Sequence, residues 1–171
     1  MIEPELPPGI RPATVADVAA IHDLICDLAT YERARDEVKA TPDQLRIALF
    51  GPTPGAHALV AETAGQVVGF ALYFLSYSTW EGVHGIYLED LYVRPEHRGS
   101  GLGTALLSSL AAIAEARGHA RLEWSVLDWN TPSIAFYRSL GAVSMDDWTG
   151  FRLTGETLTA LAEKAATRRN G

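Results

Sequence analysis

Arg98-Gly99-Ser100-Gly101-Leu102-Gly103 stands between two runs of different periodicity. Upstream, Ile86-Tyr87-Leu88-Glu89-Asp90-Leu91-Tyr92-Val93 is rich in β-branched and aromatic residues and reads as a strand. Downstream, Leu102, Ala105, Leu106, Leu110 and Ile113 form one apolar stripe at helical spacing. A glycine-rich turn between strand and helix leaves backbone N–H groups unpaired at the helix N-terminus. Those donors, with the positive end of the helix dipole, favour a bound phosphate. Glycine lets the phosphate approach the backbone because no Cβ intervenes. Arg98 adds a fixed positive charge with fork geometry for phosphate oxygens.

Three nucleotide-type patterns compete for this turn. A P-loop needs a lysine after its second glycine, and the sequence has none between Lys39 and Lys164. The dinucleotide fingerprint Gly-x-Gly-x-x-Gly is met at Gly99 and Gly101 but finds Thr104 at its third glycine. Glu123 stands about where a ribose-binding acid belongs, so a nicotinamide-dependent enzyme is the rival reading. The pattern Arg/Gln-x-x-Gly-x-Gly/Ala is met in full by Arg98, Gly101 and Gly103.

That last pattern resembles the pyrophosphate loop of the GNAT N-acetyltransferase superfamily. A second signature of that superfamily, an Asn followed by a Tyr-bearing helix and a Gly, is similar to Asn130-Thr-Pro-Ser-Ile-Ala-Phe-Tyr137-Arg-Ser-Leu-Gly141. Ser78-Thr-Trp80-Glu-Gly, Tyr87-Leu-Glu89-Asp90, Leu127-Asp-Trp-Asn130 and Trp148 resemble the branch containing the diamine (spermidine/spermine) and thialysine acetyltransferases. The wording Ser-Thr-Trp and Leu-Asp-Trp-Asn is closer to the thialysine side. The resemblance runs from about Ile10 to Leu161.

Composition sets the bounds. A chain of 171 residues suits one domain with a real core, and 47% apolar residues is ordinary for a globular protein. No apolar run reaches the ~18 residues that would span a membrane, so no membrane partner is expected. A formal net charge of −7 argues against nucleic-acid binding and suits a cationic substrate. The single cysteine, Cys26, reads as a structural thiol in the first helix. Together with the absence of a signal-like N-terminus it gives a cytoplasmic expectation. The five histidines are scattered without metal-ligand spacing, so no metal is expected.

The organisation expected is a flexible leader over 1–9, one domain over 10–163 and a basic tail over 164–171. The element order is β-α-α-β-β-β-α-β-α-β, an α/β (α+β) domain with a mixed sheet and helices on both faces. Strands are expected at Ile10–Pro12, His57–Thr63, Gln66–Tyr77, Gly85–Val93 and Arg121–Leu127. A last pair is expected at Ala142–Ser144 and Gly150–Leu153. Helices are expected over Asp17–Ala34 (Thr14 as cap), from Pro42, from Leu102 to Gly118, over Ser133–Leu140 and over Glu156–Arg168.

The resemblance implies a sheet splayed beside the strand ending at Val93, acetyl-coenzyme A as acetyl donor, and a homodimer. It also implies roles for particular residues. Tyr137 would protonate the leaving thiolate, and Glu89 would accept the amine proton, directly or through water. The Leu91–Val93 backbone, including that of Tyr92, would supply an oxyanion donor. Arg98, Gly99, Ser100, Gly101, Gly103 and Thr104 would hold the pyrophosphate, with Asn130 and Ser133 on the cofactor. Glu32, Trp80, Glu89, Asp90 and Trp148 would line the acceptor channel, where carboxylates and aromatics suit an ammonium. A carboxylate in the cleft would have a raised pKa through desolvation. Arg33 and Arg35 depart from the more acidic polyamine enzymes and favour a lysine-like amino acid such as thialysine over spermine. The function expected is direct acetyl transfer to a small primary amine. A non-catalytic acyl-coenzyme A sensor, and acetylation of a protein N-terminus or an aminoglycoside, stand as alternatives.

Overall fold

A computed structural model describes residues 4–167 of the chain, with residues 1–3 and 168–171 outside the description. Parts of the expected leader and basic tail therefore lie outside the described residues. The chain divides into two compact units, 1–125 and 126–171.

The first unit opens with β1 (Ile10–Pro12), a 3-10 turn (Val15–Asp17) and α1 (Val18–Tyr31). A capping box formed by Thr14 and Asp17 starts this segment, as the sequence suggested. A second 3-10 turn (Arg35–Glu37) leads to α2 (Pro42–Phe50), where Thr41 accepts from the Gln44 N–H and Pro42 occupies the first turn. Then come β2 (His57–Thr63), β3 (Gln66–Ser78), β4 (Val83–Val93), a 3-10 turn (Pro95–His97), α3 (Leu102–Ala116) and β5 (Leu122–Trp124). The strands form one sheet in the order β1-β2-β3-β4-β5. All neighbours are antiparallel except β4 and β5, which run parallel around the α3 crossover.

Alternation along the central strands buries both faces. Ala58, Val60, Phe70 and Tyr92 pack with Val18, Ile21 and Leu24 of α1 and Leu45 and Leu49 of α2. The opposite parity, Leu59, Ala61 and Ala71, is also buried, and α3, which packs against β1 to β5, buries Leu106, Leu107, Leu110 and Ile113. At the β1 end, Arg11 bridges the buried Asp17 (2.7 Å) and Glu62 (2.8 Å). The guanidinium and the Thr14 donors lower the Asp17 pKa to about 2, against the cost of burial.

The second unit holds α4 (Thr131–Ser139) and α5 (Gly155–Thr167). Gly141, at φ 88°, closes α4 as a left-handed terminator. The expected strand pair at Ala142–Ser144 and Gly150–Leu153 does not form. The intervening chain bonds locally instead: Ser144 Oγ donates to Asp146 (3.0 Å) and the Trp148 N–H to the Met145 carbonyl (3.1 Å). Alternation alone makes no strand where no edge is paired. The strand expected over Arg121–Leu127 is likewise shortened to Leu122–Trp124, the length that β4 pairs.

Candidate active site

In the first unit, the glycine turn leaves β4 through the Pro95–His97 turn and enters α3 with Gly101 as its N-cap. Gly99 and Gly101 adopt φ of 77° and 85°, the left-handed region where a side chain is strained. A Cβ on either would meet no atom within 4 Å, so the space above both is open. No side chain caps α3, and the Ser100 hydroxyl turns back to the His97 carbonyl (2.6 Å). The first-turn donors of a 15-residue helix, at Leu102, Gly103 and Thr104, are thus left to solvent or a ligand. This uncapped, Cβ-free end suits the pyrophosphate of a coenzyme A group.

Arg98 takes a position the sequence did not reveal. Its Nε donates to the Val93 carbonyl (2.9 Å), and its guanidinium lies 5.3 Å from the ring centres of both Tyr31 and Tyr92. The side chain therefore fastens the turn to the end of β4 and to α1 through two cation–π contacts.

Pairing of β4 to β5 runs only from Ile86↔Leu122 to Leu88↔Trp124, while β4 continues to Val93. Among the described residues no strand pairs Glu89–Val93 on that side, the splay that the resemblance implies. The Leu91–Val93 backbone lies along this opened edge. Register with β3 also shifts here: Leu72 pairs with Asp90, but the next β3 residue, Tyr73, pairs with Leu88. Glu89 is the extra residue of a β-bulge. The bulge inverts the parity of β4. Before it, Leu88 shares a face with Tyr73; after it, Asp90 and Tyr92 share the face of Leu72 and Phe70. That is the face covered by α1.

Asp90 consequently points toward the α1 side, while Glu89 is exposed. Burial, then the charges of Glu89 and Glu32, push the Asp90 pKa up to about 6. Glu32, which follows α1, is also raised by burial. The elevated carboxylate expected in the cleft is therefore Asp90, a distinction that depends on the bulge. Arg33, at φ 61°, turns the chain after α1, and Arg35 lines a polar hollow with His22, Asp23, Cys26, Thr30 and Arg94.

The structure does not bring Trp80 to this cluster. It sits in the β3–β4 turn, 91% exposed, beyond the Ser78↔Val83 pair. From Val83 to Glu89 the strand covers roughly 20 Å at the usual rise.

In the second unit, buried Asn130 caps α4 by accepting from the Ser133 N–H (3.4 Å), a structural task for both residues. Tyr137 lies in the second half of α4, half-buried, its ring tilted against Phe136 at 5.4 Å. Trp148 is 70% exposed in the segment after α4.

Among the described residues no group of three or more His, Cys, Asp and Glu side chains could hold a metal ion. No described helix is long and apolar enough to cross a membrane.

Residues 18–142 match the model of the acetyltransferase (GNAT) family. The chain belongs to that family, and it is an acetyl-transferring enzyme. It is 42% identical to the thialysine N-epsilon-acetyltransferase of Bos taurus, covering 91% of this chain and 97% of that protein. The Caenorhabditis elegans protein of the same name is 34% identical over 82% and 88% of the two chains. Among solved structures, an integron cassette protein from the mobile metagenome of V. cholerae superposes with a TM-score of 0.76. It is 26% identical, and the match covers 90% of this chain and 96% of that one.

Proposed function

We propose that the enzyme transfers the acetyl group of acetyl-coenzyme A directly to the terminal primary amine of a lysine-like small molecule such as thialysine. The observation that carries this reading is the grouping of Glu32, Glu89 and Asp90, whose charges interact across the end of α1 and the bulge of β4. Three neighbouring carboxylates make a negative patch that attracts an ammonium. The names of the similar proteins point the same way.

The donor supplies an activated acetyl carbon and a sulfur leaving group. Its pyrophosphate is held by the turn from Arg98 to Thr104, chiefly through backbone N–H groups and the α3 dipole. The opened backbone of Leu91–Val93 supplies an oxyanion donor. Tyr137 donates a proton to the departing sulfur, and Asn130 and Ser133 shape the α4 end on the cofactor. Trp148 contributes to the acceptor channel. Exposed Val143, Met145, Trp148 and Phe151 of the second unit supply apolar surface for pairing two copies, the homodimer included in this proposal.

The test is release of free thiol from acetyl-coenzyme A with thialysine, lysine, ornithine, putrescine, spermidine and an aminoglycoside, with Tyr137→Phe beside wild type. Selective turnover of thialysine or lysine, reduced in the variant, is expected. Cofactor binding without turnover of any amine refutes the proposal and favours the sensor reading.

A further inference from the structure

We infer that the stacked rings of Phe74 and Tyr87 form the wall on which the middle of a lysine-like substrate lies, and that this wall favours a thioether over a methylene at that place. The inference rests on the amine-transfer reading above and deepens it by naming residues that set substrate preference. Its basis is the parity of the two central strands. β3 alternates without interruption, so Phe70, Leu72 and Phe74 share the face that α1 covers at Phe70. Tyr87 pairs with Phe74, and Asp90 with Leu72. In a regular strand Tyr87 and Asp90 would face opposite sides. The bulge at Glu89 brings both to the same face, with the aromatic pair beside the carboxylates.

Along that face Asp90 has different neighbours in the two directions. On one side Phe70 and Tyr92 are buried with Val18, Ile21 and Leu24, which closes that direction to a ligand. On the other side Phe74 and Tyr87 are only half-buried, their ring centres 5.1 Å apart and their planes 28° from parallel. The Tyr87 hydroxyl shares a hydrogen bond of 2.8 Å with the Ser125 hydroxyl just beyond β5, which fixes the ring. Two residues of strand separate Leu72 from Phe74, about 7 Å. A lysine-like chain held by its ammonium at the carboxylates therefore runs over these rings. Trp80, the aromatic that the sequence suggested for this duty, is carried away in the turn beyond β3, and the pair takes its place.

In thialysine the sulfur is three bonds from the terminal nitrogen, which places it at the aromatic pair. Lysine has a methylene there. A polarisable sulfur about 5 Å from a ring gains a contact with the ring edge that a methylene makes less well.

The experiment compares kcat/KM for thialysine and for lysine in wild type, Phe74→Leu, Tyr87→Leu and Tyr87→Phe, with KM for acetyl-coenzyme A measured beside them. The sulfur also draws electrons from the terminal amine and lowers its pKa, which favours thialysine in any site. That effect is the same in every variant, so the readout is the change in the thialysine-to-lysine ratio from wild type. Each leucine variant should lower the ratio roughly two- to tenfold, the worth of a sulfur–aromatic contact, and leave KM for acetyl-coenzyme A near wild type. Tyr87→Phe keeps the ring and should keep the ratio. A purely structural role would reduce both substrates alike, so an unchanged ratio in both leucine variants overturns the inference. So does a Tyr87→Phe enzyme that loses the ratio as fully as Tyr87→Leu, since the ring is then not the cause. If one leucine variant does not fold, the other carries the same test from the opposite strand. Failure of wild type with every amine overturns the amine-transfer reading itself, an outcome separate from an active wild type whose preference ignores the rings.

Discussion

Replacing Asp90 by Asn should make this protein more stable at pH 8. The folded-state pKa of Asp90 is about 6 against an ordinary value of 3.8. A carboxyl whose folded pKa is raised holds its proton longer in the native state than in the unfolded chain. Between about pH 4 and 6 the native state therefore binds more protons, and stability falls as pH rises through that window. Above it the full cost of the half-buried charge is present. At 1.36 kcal/mol per tenfold change in proton affinity, that cost is about 3 kcal/mol at most. Asn has nearly the same shape and no charge, so the cost disappears. For a chain of this length, 1 kcal/mol moves Tm by roughly 2–4 °C. The variant should melt several degrees above wild type at pH 8, and the gap should close toward pH 4. Scanning calorimetry of both proteins at a series of pH values checks this. An Asn variant that is less stable at pH 8, or a gap that does not change with pH, would show that Asp90 is not in the environment described.

Asp17 gives the opposite sign. Its folded pKa is lowered to about 2, so its contribution is present above about pH 4 and is lost as pH falls toward 2. Asp17→Asn should cost about 2 kcal/mol at pH 7 in urea titrations, with about half of that remaining near pH 3; a gap constant with pH refutes the ion-pair account. Arg98→Ala loses a hydrogen bond to Val93 and two tyrosine contacts. It should destabilise by about 2 kcal/mol even without cofactor, and an unchanged denaturation midpoint would contradict the fastening role. Gly101→Ala meets no neighbour, so its cost should be only the backbone strain of about 1–2 kcal/mol, together with weaker acetyl-coenzyme A binding by calorimetry. Normal affinity in that variant counts against the turn as the pyrophosphate site.

Local signals were strong enough to expose most of the framework. Thr41-Pro42, the apolar stripe from Leu102 and the glycine at 141 each carry their own geometric reason, and the structure places helices and ends there. Glycines 99 and 101 read correctly because their left-handed backbone is a property of the residue itself. The sequence failed where pairing decides. Ala142–Ser144 and Gly150–Leu153 alternate like strands yet bond locally, and Arg121–Leu127 is a strand only for the part that β4 pairs. Trp80 carries a suggestive residue type, but the length of the β3–β4 hairpin takes it far from the carboxylates.

The sequence by itself determined most of the helices and strands, the glycine turn before α3 and the presence of acidic side chains near one strand. Short-range periodicity, capping and glycine conformation are sufficient for those. Only the tertiary structure decided which of the two acidic side chains turns toward α1. Glu89 and Asp90 are adjacent carboxylates of nearly identical chemistry, and nothing in their order tells them apart. The register slip against β3 does, because one unpaired residue reverses the parity of everything after it, and α1 then covers the face to which Asp90 turns.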